Sequence, residues 1–400
     1  MPPDGYKVLE LAACCLLASL GVACGPGAAL DEAYEPLGPI AVVDTIPIVT
    51  IHDDGAPERL LVDAQVRELA SGEFAVSDAS SLVLRVVDAK GQLVRTIATR
   101  GNGPGEWSGQ YRWELTGDTI DAFGQPPLGP RRVHSYTVEG RLLGSFESTA
   151  ADRGTVVVTS RLGSDRWLAR MGQIARPLTA LPAAGTVWFD SVTYVILDVK
   201  GSRAEVAATI PSPAVTPHVA FPSGLQRVSV AIAPSPLLPR QLVAASGDLV
   251  WTVNGMSGSM EAFARDGRTV VRSVLPIRPR RISGELVEQE RRRQEATAEG
   301  ERERRRLTAQ YDVRLGAEWA PVVDSAIAAP DGGVWLRRFR VRETQTVRYV
   351  RVDRAGQIVG EALVPAWLGL QQITRHGVAV TRARADGTVE IVKLRLDPDP

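Results

Sequence analysis

Five short segments place an arginine shortly before a glycine: Arg67 in AQVRELA, Arg112 in YRWELT, Arg161 in TVVVTSRL, Arg240 in RQLVAAS and Arg375 in QQITRH. A guanidinium presents planar, paired donors that match a carboxylate or a phosphate. If the segments converge, they make a cationic site for a small anion. The alternative is that each arginine pairs with a nearby acid and fastens neighbouring elements together. Both readings stand on the sequence. The same segments, with DSAIAAPD as a sixth, carry Glu68, Glu114, Asp324 and Asp331. Calcium needs several converging oxygen ligands, and three of the six segments have no carboxylate, so an anion is expected ahead of a metal.

Other reactive chemistry has little support. His52, His134, His218 and His376 are scattered without a second metal-type ligand at helical or hairpin spacing, and are read as surface or packing residues. There is no Gly-x-Ser-x-Gly elbow for an esterase nucleophile. All three cysteines, Cys14, Cys15 and Cys24, lie near the amino terminus, which leaves the body of the chain without a thiol for catalysis, a disulfide or zinc. No cofactor is expected. Lysine plus arginine equal aspartate plus glutamate at 46 each, so no global field favours nucleic acid. With 44% hydrophobic and 23% charged residues, the 400-residue chain has an ordinary globular composition.

The elements that must position the arginines repeat. SGEFAVSD, TGDTIDAF, GSDRWLAR, SGDLVWTV, DGGVWLRR and RHGVAVTR are alternating runs introduced by a glycine or charged turn. Their glycines at 72, 117, 163, 247, 333 and 377 are spaced by 45, 46, 84, 86 and 44 residues. A unit of about 45 residues is the length of a four-stranded propeller blade. Most units end in an acidic residue, a glycine and another alternating strand, which is hairpin chemistry. The sixth unit stops one strand short, while IAVVDTIPIVTI at 40–51 has no partner of its own. Pairing the two closes the ring and hides the edges. The expected fold is all-β: a six-bladed β-propeller with four-stranded blades. Its two long intervals hold insertions rather than extra blades. One, at 283–308, is a charged helix capped by Ser283, with seven glutamates and seven arginines by Arg306. The other is a proline-rich loop around 211–240. Trp167, Trp251 and Trp335 recur at similar places and are expected between blades.

GNGPGEW, at 101–107, connects the first blade to the second. It has neither the Gly-Lys-Ser/Thr of a phosphate loop nor a helix after it. Pro104-Gly105 predicts a type II turn. Trp107 is expected to pack between blades, and Glu106 to sit at the channel mouth against an arginine or backbone amides. The candidate axial ligand-binding set is therefore Arg67, Arg112, Arg240, Arg375 and Glu106. The stretch VSDASSLVLRVVDAKGQLVRTIATRGNGPGEW resembles the first blade of the bacterial six-bladed β-propeller lipoproteins, relatives of the NHL-repeat proteins. That family has phenylalanine where this chain has Trp107. The resemblance covers most of 40–396 and implies the fold and an envelope location. It offers no agreed activity and no catalytic motif.

The amino terminus fits that location. LAACCLLASLGVA, thirteen apolar or small residues from Leu11 to Ala23, has the length of a signal-peptide core and is too short to span a bilayer. LGVAC resembles a lipobox, with Cys24 as the lipidated residue. The expected organisation is a signal peptide at 1–23, a lipid-anchor linker at 24–39 and the propeller at 40–400. The expected function is a monomeric binding or scaffold module, exported and held to the envelope membrane by its lipid, whose partner is a small anion or an envelope protein. The runner-up is a calcium-dependent propeller hydrolase or lyase with an axial site.

Overall fold

A computed structural model describes residues 36–51, 64–78, 82–107, 111–124, 131–148, 156–171, 176–177, 187–198, 204–215, 227–228, 241–281, 283–297, 319–339, 346–366, 368–373, 377–383 and 389–398. The chain divides into Met1–Leu37 and Gly38–Pro400. The second unit is a six-bladed β-propeller with four antiparallel strands per blade, as the repeat spacing requires. From the axis outward, blade 1 runs from Gln65–Glu68 to Leu93–Ala98 and blade 2 from Tyr111–Thr116 to Leu142–Ser148. Blade 3 runs from Val156–Leu162 to Ala204–Val215, blade 4 from Gln241–Ser246 to Thr269–Val274, and blade 5 from Val323–Ala328 to Ile358–Pro365. Blade 6 begins at Gly369–Ile373 and takes its outermost strand, Ile40–Ile51, from the other end of the chain.

That strand does more than complete blade 6. It pairs antiparallel with Val389–Pro398, while Ile40, Ala41 and Val42 also pair in parallel with Glu361, Ala362 and Leu363 of blade 5. Blades 5 and 6 are thereby joined into one eight-stranded sheet. Pro47 sits between two register shifts of this strand, beyond its three pairs with blade 5, so its missing N–H costs no ladder bond on that side.

Hairpin chemistry recurs at the outer turns. Asp88 Oδ1 accepts from the Lys90 and Gln92 amides at 2.8 and 2.9 Å, and Asp353 Oδ1 does the same for Ala355 and Gln357 at 2.9 and 2.8 Å. In blade 5 the turn residue with positive φ is Gly332, at 90°, rather than Gly333. Gly333 serves close packing instead, because a Cβ there would collide with Arg351 and the Val352 carbonyl.

Neither long interval contains an extra blade among the described residues. In blade 3 the third and fourth strands, Val187–Asp198 and Ala204–Val215, are twelve residues each. The expected proline-rich loop therefore begins later than its composition implies: Pro211 and Pro213 pair with Ser191 and Phe189 on the outer strand, where proline costs no ladder bond on the open side. In the other interval Arg280–Arg281 pairs with Trp319–Ala320, and a helix spans Gly284–Thr297. The helix starts directly after Ser283, and 298–308 lies outside the described residues. Arg291 bonds Glu288 at 2.5 Å and Glu295 at 2.8 Å, with Arg292 also on Glu288 at 3.0 Å. These pairs, Arg291 first, hold the Glu288 carboxyl down at about 2. They stabilise a solvent-facing helix that has no apolar stripe.

The core lies between blades. Trp107, Tyr111, Trp113 and Tyr136 pack with Leu84 and Ile97 between blades 1 and 2. Trp335 joins Tyr349, Val380 and Val392 between blades 5 and 6. Trp167 faces blade 2, with its ring 6.1 Å from Phe123 and 5.4 Å from Phe146. Trp251 faces blade 5, donating to the Gly332 carbonyl at 3.0 Å.

Candidate functional site

The innermost strands carry the candidate residues, and a polar cluster forms where blades 1, 2 and 3 meet around the channel. Arg112 and Glu114 alternate with buried Trp113, so they share the blade 2 face turned toward blade 3. The Arg112 guanidinium donates to the Thr159 carbonyl and lies 3.6 Å from the Glu114 carboxylate. Glu114 accepts from the Ser160 hydroxyl at 3.1 Å. Arg67 donates to the Val66 carbonyl at 2.7 Å and stands 5.9 Å from the centroid of the Trp113 ring.

The electrostatics tie these three residues together. Burial lowers the Arg67 pKa, Glu114 opposes that change and Arg112 adds to it, yet a guanidinium stays charged. Glu114 keeps 31% of its side-chain exposure, but protein surrounds the rest of it. That desolvation pushes its carboxyl above the usual range, against Arg112, Ser160 and Arg67, and Asp121 adds to the rise. Asp121 is the direct cross-strand neighbour of Glu114, and like charges opposite one another repel.

Asp121 itself is fully buried. It accepts from Arg161 Nε at 2.5 Å, Arg161 Nη2 at 2.7 Å and Ser135 Oγ at 2.6 Å. The same guanidinium lies 4.4 Å from the Trp167 centroid. Arg161 is thus a fastener between blades 2 and 3, as the second reading of the arginines has it. Arg67 and Arg112 are the members of the set that lie on innermost strands within electrostatic reach of one shared acid, Glu114. Arg240, Arg375 and Cys24 lie outside the described residues.

Glu106 is engaged within its own loop. Its carboxylate accepts from the Gly103 amide at 2.8 Å, and its amide donates to the Gly103 carbonyl at 3.1 Å. Gly105, at φ 78°, occupies the second central position that a type II turn reserves for glycine. Trp107 is buried against Tyr111, with ring centroids 4.8 Å apart, and meets His134 edge-on at 4.6 Å. His134 is a packing residue. Burial and then Arg132 lower its pKa, and neither ring nitrogen has a hydrogen-bond partner among the described residues.

Three of the four carboxylates that could have gathered around calcium are each held closely by a cation. Lys393 takes Glu68 at 2.5 Å, Arg337 takes Asp324 at 2.7 Å, and Arg351 takes Asp331. Among the described residues no three His, Cys, Asp or Glu side chains gather in metal-ligand geometry.

A second concavity, which the sequence reading missed, opens between blades 3 and 4. It has about 480 Å³ and is lined by Thr209 of blade 3 and by Thr252, Asn254, Glu261 and Arg272 of blade 4. The tryptophans on both sides turn away from this gap, and Leu162, Leu168, Ile196 and Val250 form the buried apolar contact between the two blades. Glu261 and Arg272 pair at 3.0 Å, so no net charge accumulates there.

No protein-family model matches the chain, and no curated protein does. Solved structures are similar to it at low identity. A DUF4221 family member from Bacteroides vulgatus superposes with a TM-score of 0.46 at 8% identity, covering 89% of this chain and 99% of that one. The PQQ-bound aldose sugar dehydrogenase of Streptomyces coelicolor gives 0.39 at 12% identity, covering 91% and 100%. The β-propeller domain of the Trilobed protease of Pyrococcus furiosus gives 0.38 at 11% identity, covering 84% of each.

Proposed function

We propose that this chain is a monomeric binding module of the bacterial envelope, exported and lipid-anchored through Cys24, that holds a small anionic ligand in its channel. The observation that carries this reading is the cluster of Arg67, Arg112 and Glu114 on neighbouring inner strands. Two guanidiniums there share one desolvated carboxylate. Bidentate donors at a partly desolvated surface suit a carboxylate, phosphate or sulfate group.

Anions should therefore raise the melting temperature of the mature domain, and Arg112→Ala should lower their affinity about tenfold or more. A charge-assisted hydrogen bond contributes about 1.5–3 kcal/mol, and 1.4 kcal/mol is a factor of about ten. The variant should melt near the wild-type temperature without ligand, since Arg112 retains 42% side-chain exposure. Thermal shift against sulfate, phosphate and succinate measures both quantities. An anion effect unchanged in Arg67→Ala and Arg112→Ala would leave these arginines as fasteners only.

The anchoring reading rests on LGVAC. Cys24→Ser removes the thiol that accepts the lipid. Each buried methylene contributes about 0.8 kcal/mol to membrane binding, so loss of the chains should release the protein. Fractionation with fatty-acid labelling should show an unlabelled variant in the soluble fraction. A labelled variant in the membrane pellet refutes the assignment.

A further inference from the structure

We infer that Glu114 is the proton carrier of this channel site, so that a doubly charged anion binds together with one proton taken up on the Glu114 carboxylate. The inference rests on the proposed anion-binding reading and adds a ligand charge and a pH dependence to it.

The charges around Glu114 motivate it. Arg67, Arg112 and Arg161 face Glu114 and Asp121, which leaves one net positive charge when every group is ionised. Both oxygens of Asp121 are already occupied, by two guanidinium bonds from Arg161 and by the Ser135 hydroxyl. Tyr194, also close to Arg112, is held above its ordinary value by burial, against Arg170 and Arg112, and stays neutral. Glu114 has one hydroxyl donor, a 3.6 Å approach to Arg112 and a like charge directly across the strand.

A monoanion brings the cluster to neutrality unaided. A dianion leaves it one charge negative in a desolvated place, and the proton that restores balance has one carboxylate to go to. Protonation also frees Arg112 from Glu114 and converts the carboxyl into a donor that can face the anion.

Linkage fixes the sign. Bound dianion raises the Glu114 pKa further, so affinity is flat below the pKa of the free site. It then falls by up to about tenfold per pH unit for one proton as pH rises to the pKa of the complex. The test uses sulfate, a dianion across the whole range, and methanesulfonate, a monoanion. Calorimetric titration in buffers of different ionisation enthalpy counts the protons taken up. One proton per sulfate and none per methanesulfonate is the expected result. In Glu114→Gln, sulfate should bind at least as tightly as in wild type at neutral pH, with no proton uptake and a flat pH profile. Ser160→Ala, which removes a donor to the ionised form, should carry proton uptake to higher pH and serves if the glutamine variant does not fold. Sulfate binding without proton uptake, or uptake that persists in Glu114→Gln, overturns the role of Glu114 and leaves the anion site standing. If neither anion binds, the anion-binding reading itself falls.

Discussion

Asp121→Ala should be among the most destabilising single substitutions in the chain, with a loss of about 3–5 kcal/mol in a urea or thermal unfolding experiment. Asp121 is fully buried and receives two bonds from Arg161 and one from Ser135. Removing it strands a guanidinium whose side chain keeps 11% of its exposure, in contact with the Trp167 face. The cost comes from that uncompensated charge rather than from a lost attraction. Replacing both partners by apolar residues, as in Asp121→Leu with Arg161→Met, should therefore recover most of the stability. A single alanine variant within about 1 kcal/mol of wild type, the range of exposed pairs, would show that solvent reaches the pair and that blades 2 and 3 are held by Trp167 packing alone.

Asp121 also shows where the sequence was legible and where it was not. TGDTIDAF reads as a repeat marker, and the ring follows from six such markers, their turn glycines and the missing sixth-blade strand. The buried ion pair did leave a trace: an aspartate between Ile120 and Ala122 in a strand whose other central residues are all buried. Glu361 gives the same trace in IVGEALVP, where it is buried and paired with Arg348 at 3.3 Å. A lone acid inside an apolar strand has to find a cation, because an unpaired buried carboxylate is too costly to keep ionised. What no pattern in one strand reveals is which blade supplies the partner.

The cleft between blades 3 and 4 was hidden for a related reason. Trp167 and Trp251 each follow their marker glycine by four residues, which suggested one shared role. However, the pairs Leu162 with Arg166 and Ser246 with Leu249 bracket turns of three and two residues. Trp167 is therefore the second residue of its strand and Trp251 the third. Successive residues point to opposite faces, so one extra turn residue sends the two indoles away from each other. The candidate site was half legible for the same geometric reason. The arginines could be placed on inner strands, but whether each meets an acid across the blade gap depends on register. Arg161 does and Arg112 largely does not, although both lie on blade edges facing the axis.

Removing Ile40–Ile51 should have the largest effect on the fold. The strand makes seven registered pairs with Val389–Pro398 and three with blade 5. At a net contribution of roughly 0.5–1.5 kcal/mol per backbone hydrogen bond, their loss approaches the 5–15 kcal/mol that typically separates a folded domain from its unfolded chain. The damage reaches beyond blade 6. The parallel pairs at Ile40, Ala41 and Val42, with the Glu361 amide on the Pro39 carbonyl at 2.8 Å, are what turn two blades into one continuous sheet. Without them Val389–Pro398 becomes an open edge, ready to pair with another chain. The truncated protein should unfold over a broad, low-temperature transition and associate in a concentration-dependent way. A synthetic peptide of residues 40–51 added in trans should restore part of the cooperativity, because it offers the same backbone ladder without the covalent link. A truncated protein that melts at the wild-type temperature as a monomer would mean that packing between blades, not closure by this strand, holds the ring together.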